Sequence, residues 1–190
     1  MERLAIYADL LKKWNPAINL VSNSSLDHLW TRHFLDSAQV FDLAPEGVSH
    51  WADLGAGGGF PGLVVAVIAK DRTPDMAITL VESDQRKATF LQSAAREMGL
   101  TVAVVADRIE AVAALNVDIL SARALAPLKA LLNYAERHLA AEGIALFPKG
   151  AKAQEEVDEA LASWRFVVES FPSKTDANAA ILKIGGITRV

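Results

Sequence analysis

Cysteine is missing from all 190 residues, and with it go disulfides, thiolate metal sites and thiol nucleophiles. Tyrosine is scarce: Tyr7 and Tyr134 are the two copies, and neither is followed four residues later by a lysine, so the usual pair of a hydride-transfer site is not there. Long apolar runs are absent as well. The longest, Leu63 to Ala69, is too short for a bilayer, and the first residues, with Glu2 and Asp9 among them, lack a signal-peptide pattern. Nor is positive charge in excess. Lys and Arg number 19 against 23 Asp and Glu, a net charge of −4, which argues against indiscriminate nucleic-acid binding while leaving room for a local basic face. These absences predict a cytoplasmic protein with no membrane segment, and a monomer without a metal is expected.

What is present is a core-forming composition, 52% hydrophobic and 22% charged, enough for one compact domain or a domain with a cap. The spacing of Leu4, Tyr7, Ala8, Leu10, Leu11 and Trp14 predicts a helix over 2–14 that Pro16 stops. Ser24 and Asp27 read as a capping signal for a second helix through Leu29, Trp30, His33, Phe34, Ser37 and Phe41. Pro45 and Gly47 then break the chain, so 1–47 reads as a helical cap and 48–190 as the main domain. From residue 50, strands at 50–54, 77–82, 101–105, 117–121 and 143–147 alternate with helices at 61–70, 84–98, near 108–114 and 127–140, with Gly99 and Gly143 at helix C-caps. This is an α/β fold with a parallel sheet covered on both faces. A polar helix, Lys152 to Ala162, and two further strands, 165–170 and 179–187, predict an antiparallel hairpin at one edge and seven strands in all.

The most telling stretch is Trp51-Ala52-Asp53-Leu54-Gly55-Ala56-Gly57-Gly58-Gly59-Phe60-Pro61-Gly62. A strand ends in an acid, turns through glycines that permit φ > 0 and bare-backbone contact, and enters a helix whose first N–H groups are free. A second acid, Glu82, ends the next strand, where a carboxylate suits the two hydroxyls of a ribose. A phosphate-binding P-loop is excluded because no Lys-Ser or Lys-Thr follows the glycines. A dinucleotide fingerprint is met formally by Gly57, Gly59 and Gly62, although Pro61 removes one N–H where a pyrophosphate would sit. The D-x-G-x-G-x-G pattern of Asp53, Gly55, Gly57 and Gly59 fits S-adenosylmethionine, whose amino-acid end carries no phosphate.

Ligands of such sheets bind beyond the carboxyl ends of the strands. The third strand is followed there by Asp107-Arg108-Ile109-Glu110, placed to flank an adenine, and the fourth by Arg123, placed for a bidentate contact to a carboxylate or a substrate. Arg32, His33 and Asp36 put a cation, an imidazole and an acid on adjacent turns, with His33 and Asp36 spaced to hydrogen-bond each other. Lys149, with Arg86, Lys87, Arg123 and Lys129, would make a basic rim for phosphates. Trp14, Trp30, Trp51 and Trp164 read as core rather than as stacking platforms. Covalent attack on a pyrimidine is excluded without cysteine, and the fourth loop lacks the [DN]-P-P-[YF] grip on an exocyclic amine. A ring nitrogen such as guanine N7 carries an in-plane lone pair and requires no general base, so methyl transfer to it runs on positioning and electrostatics.

These residues resemble the GidB (RsmG) family of small-subunit rRNA methyltransferases over nearly the whole chain. The resemblance rests on Lys13-Trp14-Asn15 with Asn19-Leu20, Arg32-His33-Phe34-Leu35-Asp36-Ser37, the glycine turn through Gly62, Glu82-Ser83-Asp84 with Arg86-Lys87 and Phe90-Leu91, Arg108-Ile109-Glu110, Arg123-Ala124 and Lys149-Gly150. Ala122 stands where a serine often precedes the arginine, and the chain begins inside the family's first helix. The resemblance implies a Rossmann-like class I S-adenosylmethionine-dependent methyltransferase fold and methylation of guanine N7 in 16S rRNA, as naked rRNA or within the small ribosomal subunit. It also implies cofactor contacts at Gly55, Phe60, Ile109, Glu110 and Arg123, to which the reading of the turn adds Ala56, Gly57 and Glu82. Arg123 is the expected catalytic residue, and Arg32, His33, Asp36 and Lys149 are the expected substrate side. A small-molecule methyltransferase with the first 50 residues as a lid, or a dinucleotide-binding redox protein, are the alternatives.

Overall fold

The computed structural model describes residues 1–190. Helix α1 (Glu2–Ile18) leads to the short α2 (Asn23–Leu26), and a π-helical turn, Trp30–Leu35, runs into α3 (Asp36–Phe41). Strands and helices then alternate as β1 (His50–Leu54), α4 (Gly62–Arg72), β2 (Ala77–Val81), α5 (Gln85–Glu97), β3 (Ala103–Val105), β4 (Val117–Ala122), α6 (Leu128–His138), β5 (Leu139–Lys149), α7 (Ala153–Leu161), β6 (Trp164–Pro172) and β7 (Ala180–Arg189). The single sheet has the order β3-β2-β1-β4-β5-β7-β6. Its first five strands are parallel, while β7 runs antiparallel to both β5 and β6. The expected edge hairpin is there.

Strand order reverses between β1 and β4, so the loops after these two strands diverge and leave a crevice at their carboxyl ends. Apolar clusters cover both faces of the sheet. One joins Tyr7, Leu11, Leu29, Phe34 and Val40 of the first 41 residues to α4 and α5 through Leu63, Val64, Phe90 and Leu91. The other packs Leu128, Leu131 and Leu132 of α6 and Trp164 against Leu120, Phe147 and Ile184. The N-terminal helices are therefore a layer of the core. No helix is long and apolar enough to cross a membrane.

Several local expectations are corrected. Pro16 lies inside the last turn of α1, which runs on to Ile18; the left-handed Asn19 (φ 47°) ends it by returning its N–H to the Asn15 carbonyl. Ser24 and Asp27 do not cap the second helix: Ser22 precedes α2, and the Asn15 side chain, accepting from Val21 N at 2.9 Å and donating to Asn23 Oδ1 at 3.2 Å, fixes this corner. Residues 108–114 form one bonded turn from the Arg108 carbonyl and no regular helix. Gly143 caps nothing. Strand β5 begins directly after His138, and the pairing slips so that Val117 faces Leu139 while Ile119 faces Ile144. A Cβ at Gly143 would come within 2.8 Å of the Val117 carbonyl, so the glycine serves this close backbone approach. Trp51 and Trp164 are core as expected, but Trp30 is 46% exposed.

Candidate functional site

The turn after β1 uses its glycines as expected, with positive φ at Gly55, Gly57 and Gly59. Buried groups behind it hold its shape. Asp53 is fully buried; its Oδ1 accepts from Ser121 Oγ at 2.7 Å and its Oδ2 from Gly62 N at 3.0 Å. Ser121 Oγ also accepts from Trp51 Nε1 at 2.9 Å. Burial pushes the Asp53 carboxyl up to about 7, against the lowering effect of these two bonds. On the cap side, Tyr7 Oη donates to the Gly58 carbonyl, and a Cβ on Gly59 would collide with Tyr7 and Leu63.

Glu82 points back to the turn: Oε2 accepts from Gly57 N at 2.7 Å and Oε1 from Asp84 N at 2.8 Å. Asp84 in turn caps α5 by accepting from Arg86 N and Lys87 N. The glycine turn, Glu82, Ile109, Glu110, Arg123, Leu125 and Tyr134 border a cleft of about 610 Å³. All eight residues expected to hold the cofactor, Gly55, Ala56, Gly57, Phe60, Glu82, Ile109, Glu110 and Arg123, line it.

One expectation about the turn is corrected. The first N–H groups of α4 are not free: Gly62 N is bonded to Asp53, Leu63 N to the Gly59 carbonyl and Val65 N to the Pro61 carbonyl. With these donors used and two carboxylates close by, the turn is poorly suited to a pyrophosphate and well suited to a ligand without phosphate. A carboxylate for ribose hydroxyls, bare glycine backbone and a partly apolar wall at Ile109 and Leu125 fit S-adenosylmethionine.

Arg123 forms the partition between this cleft and a second one. Its guanidinium donates to His33 Nδ1 at 3.0 Å, reaches the Arg32 carbonyl and Asp36 Oδ2 at 3.5 Å, and lies 5.0 Å from the Phe60 ring centroid. Because a guanidinium only donates, His33 Nδ1 must accept, and Nε2–H then donates to Ser25 Oγ at 2.9 Å. Burial first, then Arg123, holds the imidazole down to about 4, so it is neutral near pH 7. His33 stacks on Phe60 with centroids 4.7 Å apart, and Tyr7 stacks on the same ring at 5.2 Å. The expected His33–Asp36 hydrogen bond is not formed. Asp36 accepts instead from Gln39 Nε2 and Thr175 Oγ1, each at 2.9 Å, with Arg123 on its other oxygen. The Thr175 bond clasps α3 to the loop between β6 and β7.

The second cleft, of about 680 Å³, brings Arg32, His33, Asp36 and Lys149, the residues assigned to the substrate side, together with Arg123. Lys149 is not a free rim cation, however: its Nζ donates to Glu156 Oε2 at 2.7 Å and to the Ala126 carbonyl at 2.8 Å. Glu156 also accepts from Leu128 N at 2.6 Å, so this pair fixes the loop that follows Arg123.

Leu125 and Tyr134 line the first cleft and Glu156 the second without having been given a site role from sequence. Tyr134 Oη donates to Glu110 Oε1 at 2.5 Å, which draws that carboxyl below its ordinary range. Ala124 takes φ 53° with no glycine to announce it. The helical period of α6 carries Tyr134 to the site, a signal the sequence did contain. No group of three His, Asp or Glu residues is placed to hold a metal ion.

Comparison with known proteins agrees with this geometry. Residues 1–181 match the family described as GidB, rRNA small subunit methyltransferase G. The chain is 56% identical over 190 residues to the ribosomal RNA small subunit methyltransferase G of a Ruegeria species (strain TM1040), covering 100% of this chain and 92% of that one. Against the protein of the same name from Rhodospirillum centenum it is 51% identical over 187 residues, covering 98% and 84%. Among solved structures, a ribosomal protein L11 methylase from Lactobacillus delbrueckii subsp. bulgaricus superposes with a TM-score of 0.62 at 18% identity over 78% of this chain and 76% of that one. A 16S rRNA N2 methyltransferase of T. thermophilus, solved with AdoMet and guanosine, gives 0.56 at 15% identity over 79% and 38%. At these identities the structures speak for the class I methyltransferase fold, and the sequence relatives for the family. The chain belongs to the GidB family of small-subunit rRNA methyltransferases.

Proposed function

We propose that this protein is an S-adenosylmethionine-dependent methyltransferase acting in the cytoplasm on N7 of a guanine in 16S rRNA. When bound, S-adenosylmethionine supplies an electrophilic methyl group on a sulfonium. Gly55, Ala56, Gly57 and Glu82 would hold the nucleoside, with Ile109 and Glu110 beside the base. Phe60 and Arg123 stand between that cleft and the second, which receives the target guanine.

The observation that favours N7 over an exocyclic amine is that each acid and imidazole lining the second cleft is already engaged by protein donors, leaving none poised as a dedicated base. The Nδ1 of His33 is occupied by Arg123, Asp36 is ringed by Gln39, Thr175 and Arg123, and Glu156 accepts from Lys149 and Leu128 N. A nucleophile with a ready lone pair needs no such base. What these residues contribute is orientation and a fixed field, with Asp36 and Glu156 offering negative charge toward a purine that becomes cationic.

The test is transfer from labelled S-adenosylmethionine to unmodified small subunits or 16S rRNA, followed by nucleoside analysis. The expected product is 7-methylguanosine. Label on an exocyclic nitrogen would reject the N7 assignment, and cofactor binding without any RNA labelling would favour a small-molecule substrate.

A further inference from the structure

Beyond the second cleft the surface continues as a polar trough. A groove of about 290 Å³ shares Arg32, His33 and Asp36 with that cleft and adds Ser22, Ser25 and Asp176. It passes into another of about 440 Å³ that shares Ser22, Ser25 and Arg32 with it and adds Ser24, His28 and Thr31, with no hydrophobic residue in its wall. His33 joins the two ends of this path, with Arg123 on Nδ1 and Ser25 Oγ on Nε2.

Next in the chain to Thr31, which lines this outer groove, comes Trp30. It opens the π-helical turn Trp30–Leu35, and its indole is 46% exposed. It is not loose. Its ring sits edge-on to Phe34, centroids 5.0 Å apart at 80°, and Phe34 packs at 5.8 Å on Phe60, which lines the cofactor cleft.

We propose that this trough, with Trp30 beside it, is the docking surface for the single-stranded RNA that flanks the target nucleotide: hydroxyls, an imidazole and the Arg32 guanidinium take the backbone, and the indole stacks a neighbouring base. The inference rests on the rRNA methyltransferase reading above and extends it. Single-stranded RNA is recognised by such pairing of a polar, cationic groove with an aromatic face. A protein partner would call for an apolar wall, and the groove has none; Trp30 and Leu35 are the large apolar side chains this stretch leaves exposed. Arg32 is available because its partner Asp176 is a 3.4 Å contact between exposed side chains, an arrangement worth little in water.

The test uses the full chain and unmodified small subunits. Trp30→Ala should raise KM for the subunit about tenfold, the loss of one stacked base, with kcat and the calorimetric Kd for S-adenosylmethionine unchanged. Trp30→Tyr should restore KM, which a purely structural role would not require. Ultraviolet cross-linking of the wild-type complex should join the peptide containing Trp30 to rRNA. An unchanged KM in Trp30→Ala, or a cross-link to a ribosomal protein in place of RNA, would overturn the inference. Failure of the underlying reading looks different: wild-type protein would bind the cofactor and methylate no rRNA at all.

Discussion

The cleft proposed for the cofactor and the one proposed for the substrate meet at Arg123, Ala124 and Leu125, yet they are built by different means. The first is shaped by main chain. Its carboxylates, Asp53 and Glu82, bond to backbone N–H groups within the β1–α4 and β2–α5 units, at most 25 residues away. The second is assembled by side chains from the π-helical turn, α3, the β4–α6 loop, the end of β5 and the β6–β7 loop, with bonds such as Thr175 to Asp36 spanning 139 residues. Backbone cradles are rigid as soon as their strands pair, whereas the side-chain wall exists only when every contributing segment has docked. Damage to the first should therefore appear in cofactor affinity, and damage to the second in the RNA.

Arg123 offers the largest effect, because it belongs to both. Arg123→Ala should cut kcat/KM roughly a hundredfold or more and weaken cofactor binding, since one group then ceases to orient both ligands. Arg123→Lys should not restore activity: an ammonium cannot serve His33, Asp36 and the Phe60 face together. A loss confined to KM for RNA would place Arg123 in the substrate wall alone. Glu82 comes next and tests the first region by itself. In Glu82→Gln the amide would turn a donor toward either Gly57 N–H or Asp84 N–H, so the Kd for S-adenosylmethionine by calorimetry should rise about 30-fold, or ~2 kcal/mol. The KM for RNA should hardly move.

Asp36→Asn probes the other wall. The amide keeps one acceptor for Gln39 and Thr175 but presents a donor toward Arg123, loosening the contact between α3 and the β4–α6 loop. KM for the small subunit should rise about tenfold, with cofactor Kd unchanged. A cofactor defect of similar size would erase the distinction between the clefts.

The same difference explains what could be read from sequence. The glycine turn, Glu82 and the strands at 50–54, 77–82 and 117–121 carry their instructions locally, in positive-φ glycines and apolar periodicity, and they fold as expected. The residues of the second cleft were identifiable, but their partners were not. His33 and Asp36 are spaced to bond each other along a helix, yet tertiary partners from Arg123 and Thr175 outcompete that contact. The engagement of Lys149 by Glu156 likewise depends on α7 folding back over the end of β5, which no local pattern encodes. Trp30 packs on the buried Phe34 four residues on, so apolar periodicity reads it as core, yet 46% of it stays exposed.

The two regions should also answer acid in opposite senses. Asp53 is raised from 3.8 to about 7, so between those values the folded chain keeps a proton that the unfolded chain has lost. Its contribution to stability is full below the unfolded value and is lost as pH rises through the folded one. His33 is lowered from 6.5 to about 4; in that interval the unfolded chain takes up a proton that the folded chain refuses, so stability is lost as pH falls. The two slopes oppose each other in the wild-type protein between about pH 4 and 6.5. Asp53→Asn, whose amide oxygen can still accept from Gly62 N while its NH₂ meets Ser121 Oγ, should unmask the histidine and make stability rise with pH across that window. His33→Gln should unmask the aspartate and make stability fall toward pH 7. Denaturant titrations at about pH 5 and pH 7.5 should show the Asp53→Asn difference from wild type changing by of order 1 kcal/mol between them. The His33→Gln difference should be smaller and of opposite sign, because that ring is partly open to solvent. Parallel profiles for all three proteins would mean that neither burial nor Arg123 perturbs these groups, and the rigid, dry support assigned to the glycine turn would have to be abandoned.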